Sequence, residues 1–335
     1  MAANLQQELN HVVELQSRAN QLDTLIQGYY LCARTEGKSE NTIRIAGTAL
    51  TTLLRFLESG NYSTDVIDIG VRELREFILH LQQVKAFEHH PLTGPQTKGL
   101  SGHAVNTYLR SIRAFWSWLV REEIITSNPF FRVKVPKPPK KVIATFSEKQ
   151  LNAIFKSINT ATSAGFRGWT MILTLLDTGL RASELVGLTM DSVNLADGII
   201  KVFGKGRKER IVPIGAKVQR AIWKYVQRYR PQPANHLCPT LFLTAAGEPI
   251  TTDRLRTIIE KYARRAGIDG VRCSPHTFRH TFAIIYLRNG GDVFSLQRIL
   301  GHSSLEIVRI YVNYAEADIK ACHQKFSPVD NLTLK

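Results

Sequence analysis

Cysteine is scarce in this sequence. The 335 residues include four cysteines, at Cys32, Cys238, Cys273 and Cys322, and none of them belongs to a Cys-x-x-Cys pair. No spacing of histidine and cysteine matches a zinc site. We therefore expect no metal and no other cofactor, and we interpret the cysteines as reduced structural thiols of a cytoplasmic protein.

Long hydrophobic runs are missing as well. No apolar run approaches the roughly 20 residues that a helix needs to cross a bilayer. The N-terminal stretch MAANLQQELNHVVELQ carries polar and charged residues throughout. The sequence therefore predicts neither a signal peptide nor a membrane partner.

Acidic residues are outnumbered. The chain has 28 Asp and Glu against 44 Lys and Arg, which gives a formal net charge of +16 at pH 7. Self-repulsion of that size is tolerated more easily when the partner is a polyanion. The charge favours a nucleic-acid-binding protein over a merely basic soluble one.

Apolar residues at helical spacing dominate the first part of the chain. ENTIRIAGTALTTLLRFLES, which follows the N-cap residue Ser39, is typical of an amphipathic helix. We interpret residues 1–21 as a helical extension and 22–127 as a helical domain with an unexplained loop at 85–103. Residues 128–146 form a linker, and residues 147–335 form a second domain with a C-terminal tail helix.

The linker is rich in proline and lysine and contains no acidic residue; the next one in the chain is Glu148. Proline makes such a segment extended and stiff. An ordinary interdomain linker would explain this composition, and cations that lie along DNA phosphates would explain its charge; both can hold together. The candidate DNA contacts in the linker are Lys134, Lys137, Lys140 and Lys141.

The second domain mixes helix and strand patterns, so the predicted fold is mainly α with a small β-sheet. In GIIKVFGKGRKERIVPIG, two β-branched runs surround a Gly-Lys-Gly turn, which predicts a hairpin. It is either a solvated basic hairpin or a mobile loop that brings a lysine into a groove. The cations of its tip are Lys205, Arg207, Lys208 and Arg210.

Two motifs bring an arginine next to a second polar group. In SPHTFRH, His276 and Arg279 are three residues apart and share one helical face, which suits an anion, while His280 is expected to point elsewhere. In DTGLRASEL, Arg181 precedes a short helix, and Glu184 three residues on can orient it. A structural histidine and a simple surface ion pair are the alternative interpretations.

A further motif, RILGHSSLEIVRIYVNY, places His302 nine residues before Tyr311. A tyrosine hydroxyl can act as a covalent nucleophile if cations or a proton acceptor lie nearby. A tyrosine beside Ile310 and Val312 is more often a core residue. Tyr314, one helical turn further, is the alternative nucleophile.

Taken in order, these motifs resemble the tyrosine recombinase (phage integrase) family. The matching stretches are TGLRASEL, GKGRKER, HTFRHTFA, LGHSS and IYVNY. The resemblance is close over residues 147–325, and the helical first half resembles the family's SAM-like core-binding domain more loosely. The likeness is to the short bacterial Xer-like and transposon-borne members, which lack an arm-type domain, and it implies a cytoplasmic protein associated with the bacterial nucleoid. It implies a C-shaped clamp around double-stranded DNA.

The resemblance also implies a role for each motif residue. Tyr311 would attack a DNA phosphorus and form a 3′-phosphotyrosyl link. Arg181 and Arg279 would bind the non-bridging oxygens, with a hydrogen bond from His302. His276 would accept the tyrosine proton, Lys205 would protonate the leaving 5′-oxygen, and Glu184 would support Arg181. The link conserves the bond energy, so neither ATP nor a metal is required.

The assembled state that the resemblance implies is a homotetramer on two DNA sites that exchanges strands through a Holliday junction. Ile319, Cys322 and Phe326 form an apolar stripe in the tail, which would dock on a neighbouring protomer or pack on its own domain. A second recombinase or an accessory protein is a further partner. The biological roles left open are integration or excision of a mobile element and dimer resolution. The alternative functions are a type IB topoisomerase, a non-catalytic DNA-binding regulator and a nucleoid protein.

Overall fold

The computed structural model describes residues 20–84, 99–136, 143–203 and 209–301. Near the C-terminus it also describes Leu305, Val308, Arg309, Tyr311, Val312, His323, Ser327, Val329 and Asp330. The chain divides into two compact units, Met1–Lys141 and Val142–Lys335. Residues 1–19 of the expected N-terminal extension, residues 85–98 of the expected loop and the apolar tail stripe lie outside the described residues. Within the described residues, no helix is long and apolar enough to cross a membrane.

The first unit is built from helices. They are α1 (Leu22–Thr35), α2 (Glu40–Ser59), α3 (Val71–Gln83) and α4 (Gly102–Arg121), followed by one 3₁₀ turn, Pro129–Arg132. Ser39 and Ser101 begin α2 and α4 because each hydroxyl accepts a hydrogen bond from a backbone N–H three residues on. Each helix buries one apolar face in a shared core, in which Phe77 and Trp116 are fully buried.

The segment after α4 packs on this unit. Phe130 and Val133, which the sequence assigned to the linker, belong to the core of the first unit. The side-chain amide of Asn106 donates to the Pro136 carbonyl at 2.7 Å. Lys134, next to the buried Val133, is exposed. Three of the four linker lysines, Lys137, Lys140 and Lys141, lie outside the described residues.

The second unit combines helices with a small antiparallel sheet, as the sequence predicts. The elements are α5 (Glu148–Lys156), α6 (Ser163–Thr178), α7 (Ala182–Val186), β1 (Val193–Asn194), β2 (Ile199–Phe203), β3 (Glu209–Pro213), α8 (Ala216–Lys224) with a π turn (Tyr225–Tyr229), α9 (Thr252–Arg265), α10 (Pro275–Arg288) and α11 (Val293–Leu300). The sheet order is β1-β2-β3, and Phe203 pairs with Glu209 across the predicted hairpin.

Two packing relationships position the site of this unit. Helices α6 and α10 pack side by side, and their apolar faces share a core with the inner face of the sheet. A smaller cluster joins α10 to α11 and contains Phe282, Leu300 and Tyr311. The C-terminal end of α6, the middle of α10 and the C-terminal end of α11 therefore meet.

Candidate active site

Arg181 lies at the N-cap of α7, directly after a sharp turn. Helix α6 ends at Gly179, whose φ of 61° is left-handed, and a Cβ at this position would clash with the Phe282 ring. Leu180 is fully buried and anchors the turn. Glycine is thus required here both for the backbone conformation and for close packing. The turn leaves the Arg181 side chain 37 % exposed.

Glu184 accepts hydrogen bonds from two arginines. The Arg181 backbone N–H donates to Oε2 and its Nη1 donates to Oε1, both at 2.8 Å. Arg210 binds the same carboxylate with Nη1 and Nη2, also at 2.8 Å each. Burial alone would raise the pKa of Glu184, but the hydrogen bonds from Arg210 and Arg181 outweigh it and lower the pKa to about 2.

The side chain of Arg210, one of the expected DNA contacts, is mostly buried. It is 12 % exposed and turned into the protein, where Nε also donates to the Ile299 carbonyl at 2.8 Å. The reason is the alternation of the strand, which puts Arg210 on the same face as the buried Val212. This alternation was the sequence signal that could have assigned Arg210 to the interior.

Arg279 is almost completely buried on α10. Its Nη1 donates to the Gly179 carbonyl at 2.7 Å and its Nη2 to the Leu300 carbonyl at 2.8 Å. Burial lowers the pKa of Arg279 to about 10, and the neighbouring charge of Arg181 contributes. The side chain is therefore a cation held in place within a poorly solvated site.

The C-terminal end of α11 connects the three arginines. The carbonyls of Ile299, Leu300 and Gly301 accept from Arg210, Arg279 and Arg181 at 2.8, 2.8 and 3.4 Å. The last carbonyls of a helix lack partners within the helix and carry a partial negative charge, which suits guanidinium groups. Gly301 has a φ of 64°, and a Cβ there would lie 3.0 Å from the Arg210 side chain.

Tyr311 lies next to these cations and is 3 % exposed. Burial raises the pKa of its hydroxyl, while the charges of Arg279 and Arg181 oppose that rise. The hydroxyl oxygen lies 2.9 Å from Nδ1 of His280. A buried phenol with a histidine at hydrogen-bond distance and two arginines nearby has the groups that a tyrosine nucleophile needs.

The expectation that His280 points away from the site was wrong. Residues three apart on a helix do not lie on an identical face, and Arg279 turns into the core while His276 is exposed. His276 and His280, four residues apart, stack with ring centroids 5.9 Å apart. The spacing His-x-x-x-His was the signal for this pair.

The structure thus brings together Arg181, Glu184, Arg279 and Tyr311, with His276 at the edge. Other candidates lie outside the described residues: Lys205, Arg207 and Lys208 between β2 and β3, His302 directly after Gly301, and the alternative nucleophile Tyr314. Sequence reasoning missed His280, and it named Arg210 as a DNA contact without foreseeing its pairing with Glu184.

Comparison with known proteins shows the family of this chain. The family model described as the phage integrase family matches residues 144–318, which is more than half of the chain. The chain belongs to the phage integrase family. This recombinase is 32 % identical over 310 residues to the tyrosine recombinase XerD of Staphylococcus saprophyticus, covering 92 % of this chain and 99 % of the relative. It is 31 % identical over 292 residues to the tyrosine recombinase XerC of Bacillus licheniformis, covering 83 % and 96 %.

A solved structure shares the fold of the recombinase. The site-specific recombinase XerH, in a post-cleavage complex with a palindromic difH substrate, matches with a TM-score of 0.68 and 18 % identity, covering 97 % of this chain and 90 % of that one. The expected recombinase resemblance and fold class are confirmed. This chain is a tyrosine recombinase of the Xer-like type, and the topoisomerase, regulator and nucleoid-protein alternatives are not favoured.

Proposed function

We propose that this tyrosine recombinase cleaves and rejoins double-stranded DNA at specific sites, with Tyr311 as the nucleophile. The observation that supports this best is the position of the Tyr311 hydroxyl. It is buried beside His280, and the positive charges of Arg279 and Arg181 act to lower its pKa. Two guanidinium groups next to one phenol are arranged to stabilise a phosphate as negative charge develops on its oxygens. The net charge of +16 suits a DNA partner.

In the proposed reaction the Tyr311 oxygen forms a bond to a DNA phosphorus while the bond from that phosphorus to the 5′-oxygen breaks. The tyrosine proton leaves through the histidine pair, since His280 contacts the hydroxyl and His276 stacks on His280. Lys205 gives a proton to the 5′-oxygen, and His302 adds a hydrogen bond to the phosphate. Ligation is the reverse, with a 5′-hydroxyl from a partner strand as the attacking group.

Arg181 and Arg279 bind the two non-bridging oxygens in this proposal. Arg279 is fixed by carbonyls on two elements and is the less mobile of the two. Arg181 is half-exposed and retains room to meet the DNA. The Glu184 carboxylate holds Arg181 by accepting hydrogen bonds from the guanidinium group and from the backbone N–H of Arg181.

At the level of assembly, we propose a homotetramer on two paired sites, coupled by the C-terminal tail and passing through a Holliday junction. Both units would contact the duplex, with Lys134, Lys137, Lys140, Lys141, Arg207 and Lys208 on the phosphates. Integration or excision of a mobile element and resolution of chromosome dimers in the cytoplasm are the roles that fit, with a second recombinase or an accessory protein as a further partner.

The test is covalent trapping on a nicked duplex that carries a candidate recombination site. Cleavage releases a short fragment that diffuses away, so the enzyme stays attached and can be located by mass spectrometry. We expect an adduct on Tyr311, no adduct with Tyr311→Phe, and an unchanged yield with Tyr314→Phe. An adduct that persists in Tyr311→Phe would contradict the assignment, and strand exchange between two duplexes separates recombination from simple DNA relaxation.

A further inference from the structure

Arg210 uses three of its five N–H donors inside the protein. Two of them hold the Glu184 carboxylate in a bidentate pair at 2.8 Å, and Nε binds the Ile299 carbonyl at 2.8 Å. A parallel pair of this kind fixes orientation as well as distance. Arg210 therefore connects the beginning of β3 to α7 and to the end of α11.

Glu184 passes this constraint on to Arg181. The two are only three residues apart on a surface turn, and an exposed pair of that kind would fix little by itself. The Glu184 side chain, however, is 4 % exposed, and Arg210 binds both of its oxygens, which opposes rotation of the carboxylate. The Arg181 guanidinium must therefore take the direction that the fixed carboxylate dictates.

We propose that Arg210 is a positioning residue for cleavage, which orients Arg181 through Glu184 and touches neither DNA nor Tyr311. The inference rests on the proposed function, since it assigns a purpose to the orientation of Arg181. It also gives β3 a role: Arg210 comes five positions after Lys205 in the sequence, so one side chain ties the strand that follows the Lys205 loop to Arg181.

A role in DNA binding would require a different geometry. A phosphate could reach Arg210 only if the guanidinium left Glu184 or the Ile299 carbonyl, and the side chain is 12 % exposed. Leaving Glu184 would remove two of the four hydrogen bonds that hold this buried carboxylate, which is costly. The two roles therefore predict different outcomes for a lysine substitution, which keeps the charge but cannot form the bidentate pair.

The first experiment compares Arg210→Lys, Arg210→Met and a control, Arg72→Met. Arg72 also pairs with a carboxylate, Glu73, but on the exposed surface of the first unit. For each protein one measures duplex affinity, its dependence on salt, and the single-turnover rate of adduct formation at saturating protein. We expect both Arg210 variants to bind DNA like the wild type and to cleave roughly 10- to 100-fold more slowly, the range seen when a partner that orients a metal ligand is removed.

The opposite pattern would overturn the inference. If Arg210→Lys cleaves normally while Arg210→Met loses affinity and its salt slope falls by about 1, Arg210 is a phosphate contact. If both variants cleave at the wild-type rate, Arg181 does not depend on Arg210. Arg72→Met is expected to match the wild type in affinity and in rate.

A pH profile separates positioning from a general loss of structure. The charged groups that face Glu184 are Arg181 on its own helix, Arg210 on β3 and Arg279 on α10. With Arg210 present the carboxylate is ionised throughout pH 5 to 8. Without it burial favours the neutral carboxyl, so cleavage by Arg210→Met is expected to rise with pH more steeply than in the wild type, and the added Glu184→Gln change is expected to abolish that difference. A deficit that is the same at every pH would overturn the inference.

A last measurement separates this inference from the proposed function. A wild-type protein that forms no adduct on Tyr311 would count against the proposed function. Chemical denaturation of Arg210→Met, Glu184→Gln and the double variant would still show whether Arg210 and Glu184 stabilise the protein through their mutual contact. We expect the destabilisation to be strongly non-additive, because either single change breaks the same pair. Additive losses would overturn the inference.

Discussion

Nδ1 of His280 and the hydroxyl oxygen of Tyr311 lie 2.9 Å apart, with the two rings 5.6 Å apart between centroids. His280 lies in the middle of α10, and Tyr311 lies 31 residues later in the chain, so the contact depends on the packing of α10 against the segment that follows α11. It gives the proposed nucleophile a hydrogen-bond partner inside a buried cluster. His276, the expected proton acceptor, lies one helical turn before His280 on α10, and the two rings stack.

The first prediction concerns this histidine pair. We expect His280→Ala to slow adduct formation roughly 100-fold or more, the usual contribution of a proton-transfer group, and His276→Ala to slow it less. His236→Ala, at an exposed loop position of the same unit, serves as the control. The measurement is the single-turnover rate on the nicked duplex. A larger loss with His276→Ala would show that His276 takes the proton once DNA is bound.

The second prediction concerns the glycine at the end of α11. Gly301→Ala places a Cβ at 3.0 Å from Arg210 and adopts a φ of 64°. The backbone conformation alone costs about 1–2 kcal/mol in a residue other than glycine. Gly267→Ala is a matched control, because its φ is 63° and nothing lies within 4 Å of the added Cβ.

Both glycine variants are therefore expected to lower the free energy of unfolding, but only Gly301→Ala is expected to slow cleavage as well. Thermal denaturation and the adduct assay measure the two effects separately. Equal cleavage by the two variants would show that the packing of Arg210 against Gly301 does not matter for the reaction.

The third prediction follows from the pKa of Glu184, which is lowered to about 2 from an ordinary value of 4.5. A carboxyl with a lowered pKa in the folded state stabilises the protein fully above its unfolded pKa, and the effect is lost as the pH falls through the folded pKa. The difference corresponds to the order of 3 kcal/mol for this buried group. We expect the wild type to exceed Glu184→Gln in unfolding free energy by a constant amount from pH 8 to 5.

Below that range the advantage of the wild type is expected to shrink as the pH falls from about 4.5 towards 2. Denaturant titrations at a series of pH values measure it. A difference between the two proteins that grows on acidification would mean that Glu184 is not held as an anion.

The fourth prediction concerns Lys134, which is the candidate linker lysine that lies within the described part of the chain. If it contacts a phosphate, Lys134→Ala is expected to weaken binding to all duplexes and to reduce the slope of log affinity against log salt by about 1. Lys38→Ala is the control, because Lys38 is paired with Glu36 at 2.7 Å in the same unit. An unchanged slope with Lys134→Ala would remove Lys134 from the DNA contacts.

Much of the site was present in the sequence because it depends on local geometry. Arg181 and Glu184 face one another since they are three residues apart around one turn. Gly179 and Gly301 end their helices because left-handed backbone favours glycine. Apolar spacing and the Gly-Lys-Gly turn predicted the mostly helical fold with a small hairpin sheet, because both signals come from residues close together in the chain.

What only the tertiary structure decided were the contacts between elements. Arg210 pairs with Glu184 and the Ile299 carbonyl because the alternation of β3 turns its side chain towards α7 and the end of α11. His280 rather than His276 meets Tyr311 because α10 buries one face and rotates His280 towards the cluster that contains the tyrosine. A sequence determines which groups lie within one or two turns of each other, whereas partners 26 to 120 residues apart are chosen by how the cores pack.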